Sequence, residues 1–252
     1  MLQLAHVMET SLMLALAVPA LAALAVRRQF LTAGGAAAAA AIGVTIAVMN
    51  AALFTLLLVF FITSSLLTRL RAELKRSLGL RDVAGRGAVQ VVCAGAPALA
   101  FAAFHALTGD SRLLCAAVTA VAAVTADTWA SEVGIAYGGT PRFILAPGRR
   151  VRPGVSGGVT LVGSAASAAG ALTIALLAHA MGVDAPAWKV ALFGYVGELA
   201  DSLLGAALQT GRICNGELAS GTAASCVRRG ALTNESVNLL SGLAAGALSA
   251  AV

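Results

Sequence analysis

Residues 51 to 67 read AALFTLLLVFFITSSLL, from Ala51 to Leu67, without one ionisable side chain. A helix needs about 20 mostly apolar residues to cross the hydrocarbon core of a bilayer, and this run, closed by Thr68 and Arg69, is of that kind. Comparable runs recur at 10 to 26, 33 to 49, 88 to 107, 112 to 135, 159 to 182, 188 to 208 and 236 to 252. The expected fold is therefore all-α: a polytopic transmembrane helix bundle of about eight helices, or seven if the alanine-rich second run does not cross. One transmembrane domain is expected over 1–252. Asn50 leaves a very tight turn between the second and third runs, which predicts a close hairpin or a partly re-entrant pair.

Composition points the same way. Hydrophobic residues make up 59% of the chain and charged residues 11%, far below the roughly 25% charged content of soluble domains. The abundance of alanine and glycine allows helix backbones to approach closely in lipid. A net charge of +6 does not indicate nucleic acid, because the basic residues sit in short connections and form no soluble basic face. If the first helix starts outside, Arg27 and Arg28, then Arg69, Arg71, Lys75, Arg76, Arg81 and Arg86, fall inside. Arg142, Arg149, Arg150 and Arg152, then Arg212, Arg228 and Arg229, follow them, and only Arg112 and Lys189 fall opposite. By the positive-inside rule, this predicts a multi-pass protein of the cytoplasmic (inner) membrane, with both termini outside and a functional face toward the cytoplasm. No Lys or Arg precedes the first run and Arg27-Arg28 follow it, so Ala20-Leu21-Ala22 reads as part of a retained helix rather than a cleavage site. Cysteines 93, 115, 214 and 226 are scattered, with no metal-ligand spacing, and read as reduced packing residues.

Ionisable groups inside membrane helices are costly and normally face the bundle interior or a water-filled cavity. Asp127 and Glu132 lie toward the inner end of the fifth run, and Glu198, Asp201 and Gln209 in the inner half of the seventh. Ser64, Ser65 and Thr68 close the third run there, while Asn234, Glu235 and Asn238 open the last. Helical spacing puts Glu198, Asp201, Ser202 and Gly205 on one stripe. Hard divalent cations prefer oxygen ligands, so Asp127, Glu132, Glu198 and Asp201 are candidate metal ligands. Before the sixth run, Ser156-Gly157-Gly158-Val159-Thr160 follows a basic stretch. Glycines and hydroxyls at a helix start suit phosphate, which makes Ser156, Gly157, Gly158 and Thr160 candidate phosphate contacts. Arg69, Lys75 and Arg86 are candidate contacts to a triphosphate, and Asn234 and Asn238 face together at i, i+4. Carboxylates for metal and cations for phosphate oxygens are what phosphoryl transfer needs, since its catalysis is chiefly positioning and charge stabilisation. No Walker A pattern occurs. His105 and His179 fall toward the outer side and are left out of the site.

Several segments in order resemble the family containing plant phytyl-phosphate kinase: Phe61 to Arg69, Glu73-Leu74-Lys75, Gly85 to Val91, Ala126 to Glu132, Ser156 to Thr160, Asp201 to Ala206 and Asn234 to Asn238. The resemblance covers roughly residues 30 to 250. It implies a membrane enzyme that converts phytyl or geranylgeranyl phosphate to the diphosphate, with Mg²⁺ and a nucleoside triphosphate, CTP by expectation, as co-substrate. On this reading Asp127, Glu132, Asp201 and Lys75 carry the catalysis. Two alternatives stand beside it: a CTP-dependent polyprenol kinase, which must activate an alcohol, and a transporter or flippase for an ion or lipid head group.

Overall fold

The computed structural model describes residues 2–78, 85–209, 211–214, 217–219 and 227–252. Among them are nine helices: α1 (Leu2–Arg27), α2 (Ala33–Met49), α3 (Ala51–Thr68), α4 (Ala72–Ser77), α5 (Ala88–Thr108), α6 (Ser111–Tyr137), α7 (Leu161–Ala180), α8 (Ala187–Leu208) and α9 (Asn234–Ala251). Eight coincide with the predicted apolar runs, apart from a start eight residues earlier in α1. The ninth, α4, is a short turn of helix in the basic connection after α3 that no apolar run marks. Helices α3, α5, α6, α7 and α8 are long and apolar enough to cross a membrane, while α2 is apolar but shorter.

Local chemistry sets the helix starts. Asn50 serves two helices: its N–H donates to Ile46 O (2.7 Å), ending α2, and its Oδ1 accepts from Leu53 N (2.8 Å), starting α3. The expected hairpin is thus a single-residue turn. Thr32, Asp110, Thr160 and Thr233 each place a side-chain oxygen on a free N–H of the first turn, as N-caps do. Asp110 lies outside the bundle, where hydrogen bonds from Arg112 hold its carboxyl below the usual range.

The core is built around α6, in which every residue from Leu114 to Ala126 is buried. It packs against α3, α5, α7, α8 and α9. Small residues make these approaches possible. A Cβ on Gly194 or Gly197 of α8 would lie 2.7 Å from the Cβ of Ala122 or Ala123 on α6, and one on Gly163 of α7 would lie 2.9 Å from Ala130 O. These crossings fix the depth at which α7 and α8 stand beside α6.

Two small antiparallel sheets lie in the connections. Strands β1 (Arg142–Phe143), β2 (Ala146–Arg150) and β3 (Gly158–Val159) form one, in the order β2-β1-β3. Strands β4 (Gly211–Cys214), β5 (Glu217–Ala219) and β6 (Val227–Arg229) form the other, in the order β5-β4-β6. Both fall in short polar segments where apolar periodicity carries no signal. Cys93 and Cys115 are free thiols; Arg81 and Cys226 lie outside the described residues.

Candidate active site at the basic end of the bundle

The connections predicted to be basic converge at one end. The Arg69 guanidinium donates to Arg28 O and stands 4.1 Å over the Phe30 ring. Arg86 N donates to Phe30 O (3.0 Å) and Thr32 N to Arg86 O (3.1 Å), which ties the start of α5 to that of α2. Arg71, in a left-handed backbone conformation, reaches Ala136 O at the end of α6 (2.8 Å). Ser156 Oγ donates to Gln209 Oε1 at the end of α8 (2.6 Å), and Gln209 Nε2 reaches Asn234 Oδ1 on α9 (3.4 Å).

Beneath this layer the four carboxylates have separate surroundings. Glu132 accepts from Lys75 Nζ at 2.5 Å and from Thr68 Oγ1 at 2.6 Å. Lys75, 2% exposed, also donates to Leu67 O (2.8 Å) and Thr68 O (3.1 Å). Its three N–H donors are thereby occupied, and its charge is spent on holding α4 and Glu132 against the end of α3. Glu198 accepts from Ser167 (3.3 Å) and Ser202 (3.1 Å). Asp201 accepts from Ser241 at 2.9 Å, and the Asn238 amide, with its nitrogen toward Asp201, donates to Oδ2 at 3.1 Å and to Asn234 O at 2.9 Å. Asp127 is different. It is half-buried and within electrostatic reach of Asp201, Glu198, Glu132 and Arg86, yet no donor hydrogen-bonds it among the described residues.

All four carboxylates border one cavity of about 1170 Å³, together with Lys75, Arg69, Arg86, Ser156, Gly157, Gly158, Thr160, Asn234 and Asn238. Every candidate site residue therefore meets the same space. From this polar end the cavity continues as an apolar arm between α1, α2, α3 and α5, bordered by Leu21, Ile42, Phe54, Leu57, Phe61 and Ala94 among others.

Two expectations change in detail. The four carboxylates are not one ligand set: among the described residues no group of three or more His, Cys, Asp or Glu side chains is placed to hold a metal ion by itself. Lys75 and Thr68 take Glu132, Glu198 and Asp201 each accept from two side chains, and Asp127 has Asp201 as the charged neighbour that acts on it most strongly. That fits Mg²⁺, which usually takes one or two carboxylates and completes its shell with water and substrate phosphate oxygens. The glycines also stand before the helix start rather than at it. Helix α7 begins at Leu161, capped by Thr160 Oγ1 on Gly163 N at 2.9 Å. Gly157 is buried with φ +77°, and a Cβ there would run into Ala206 of α8, whose Cα would lie 2.9 Å away. Its lack of a side chain lets the loop pack on α8 in a backbone conformation that other residues rarely adopt.

Thr68, Gln209, Gln90 and Glu235 also border the cavity and were not among the candidate site residues. Gln209 continues the Glu198, Asp201 and Gly205 stripe by one further turn, a signal the sequence contains. Thr68 is placed by its contact with Glu132 across 64 residues, for which no local signal exists.

Residues 16–246 match the family described as Integral membrane protein DUF92. The chain belongs to this family. An uncharacterized membrane protein of Methanocaldococcus jannaschii is 32% identical over 195 residues, covering 76% of this chain and 72% of that protein. Protein PGR of Arabidopsis thaliana is 32% identical over 189 residues, covering 64% and 65%. No solved structure matches. The family description and the archaeal relative place this DUF92 protein among integral membrane proteins, in line with its composition and apolar helices, and the plant relative agrees with the resemblance carried by its ordered segments.

Proposed function

We propose that this DUF92 protein is a phosphotransferase whose acceptor is a prenyl monophosphate, extended to the diphosphate at the basic end of the bundle. The observation that carries this reading is one continuous cavity, with Asp127, Asp201 and Arg86 at its polar end and an apolar arm behind them. A charged head and a lipid tail fit such a space together. Its volume of about 1170 Å³ also exceeds the roughly 300–1,000 Å³ of a site for one small ligand, leaving room for a nucleotide beside the acceptor. The donor is a nucleoside triphosphate, CTP by the family resemblance.

An acceptor phosphate is already ionised near neutral pH, so its oxygen needs no general base. That oxygen forms a bond to the donor's γ-phosphorus, the bond from that phosphorus to the β,γ-bridging oxygen breaks, and the nucleoside diphosphate leaves with the electron pair. Arg86 and Arg69 offset charge on the phosphate oxygens, and Asn238 and Ser241 orient Asp201. Lys75 and Thr68 hold Glu132, while Ser156, with Gln209 and Asn234, holds the loop before α7 against α8 and α9. Thr160 starts α7 and the 157–158 backbone walls the cavity. Asp127 and Asp201 would hold Mg²⁺, which supplies charge neutralisation at the transferring phosphoryl group.

A polyprenol kinase is favoured by one specific observation: Asp127, without a hydrogen-bond donor among the described residues, is available as a base for a free alcohol. Purified protein given geranylgeranyl phosphate or geranylgeraniol, with CTP or another nucleoside triphosphate and Mg²⁺, separates the two by product mass. Diphosphate from the phosphate is expected; monophosphate from the alcohol alone transfers the assignment to the second reading. No product with any donor, or lipid flux into proteoliposomes without nucleotide consumption, overturns both.

A further inference from the structure

We propose that the arm between α1, α2, α3 and α5 is a cleft for one lipid tail, and that Phe54, backed by Val18 and Gly43, is the stop that limits tail length. The proposal rests on the phosphate amphiphile assigned above but concerns a different part of the cavity. The arm opens sideways between α1 and α3, where Leu21, Leu24, Ile62 and Leu66 line it and are exposed on the outside of the bundle. Its other end is closed: Val18, Ile42 and Phe54 also line it but are only 5%, 8% and 5% exposed. A Cβ on Gly43 would lie 3.2 Å from Val18 and 3.4 Å from the Phe54 ring, so α2 packs closely against both residues at this level.

The occupant follows from what the arm joins. Its mouth carries Arg86 and Arg69, matched to an anionic head, and its walls are apolar, so the head and the tail belong to one molecule. Thr68 and Phe54 are separated along α3 by about 21 Å, and Arg28 and Val18 along α1 by about 15 Å, at 1.5 Å per residue. A three-bond residue spans about 3.5 Å when extended, so a four-bond isoprene unit spans roughly 4.5 Å and the arm holds roughly four. A tail of greater length meets Phe54.

The test compares monophosphates bearing three, four and five isoprene units, each as competitor against a four-unit monophosphate carrying a diazirine at the tail end. Labelling of the wild-type protein is expected on peptides containing Val18, Gly43 or Phe54, with protection by the unlabelled lipid. Phe54→Ala should raise binding of the five-unit lipid relative to the four-unit lipid by roughly tenfold or more, the effect of a few methylenes in an apolar site. Phe54→Leu, which keeps more of the packing, should move the ratio the same way by less. Protected labelling confined to residues outside the arm, or an unchanged ratio in a folded Phe54→Leu protein, overturns the cleft. So does equal competition by two-tailed phosphatidic acid, which one narrow arm does not fit. The binding readout is independent of turnover: tail-length selection without phosphoryl transfer keeps the cleft and removes the kinase, while turnover with unchanged length preference does the reverse.

Discussion

Lys75 and Glu132 form a buried ion pair joining a six-residue helix to α6. Removing one member leaves the other charge uncompensated in the interior, which costs about 3–5 kcal/mol. Lys75→Ala should therefore lower thermal stability in detergent markedly while the nucleotide KM of the surviving folded protein stays close to normal. A raised nucleotide KM at unchanged stability would show that Lys75 reaches the nucleotide. Asp127 makes the opposite case. Among the described residues it has no hydrogen bond to lose, so Asp127→Asn should fold normally, and turnover should drop by roughly 10²–10³ if its charge acts on the transferring group. Asp127→Asn with near-normal turnover would exclude it from the chemistry.

At the scale of elements, α8 is held against α6 and α9 by missing side chains. A Cβ on Gly197 would lie 2.7 Å from Ala123 and 2.8 Å from Ala245, so Gly197→Val must push two helices apart. Overpacking of this kind costs about 1–3 kcal/mol. Because Glu198 and Asp201 ride on the same helix, the variant should lose thermal stability and activity together; activity lost at unchanged stability would argue against packing as the role of this glycine. Thr160 is a milder case. Thr160→Ala removes the cap of α7 and should cost about 1 kcal/mol, read as a small drop in melting temperature that Thr160→Ser restores.

At the scale of the molecule, all the described basic connections lie at the cavity end, so orientation in the membrane decides which side supplies nucleotide. With the native cysteines replaced, Gly148→Cys in the loop before α7 should react with an impermeant thiol reagent only from the cytoplasmic side. Thr108→Cys in the α5–α6 turn should react only from outside. The reverse pattern would put the cavity on the wrong side for a cytosolic nucleotide.

Helix positions, the tight turn at Asn50 and the gathering of polar groups at one depth were readable from the chain alone, because hydrophobicity and the rise of 1.5 Å per residue are local properties. The glycine-rich stretch was legible as a place of close backbone approach, but the helix it packs against was not. The φ of Gly157 and its approach to Ala206 depend on where α8 lies, and the start of α7 falls after the glycines instead of among them. Likewise, spacing on α6 placed Glu132 about 140° around the helix from Asp127 but could not say what each would face. Glu132 meets Lys75 and Thr68, 57 and 64 residues away, while Asp127 meets open cavity. The sequence by itself determined a helical membrane protein with carboxylates and cations at one end. Only the tertiary structure decided which carboxylates are paired and which is available, and that the polar end continues into an apolar arm. Those outcomes depend on the rotation and depth at which whole helices pack, set by close contacts between residues far apart in the chain.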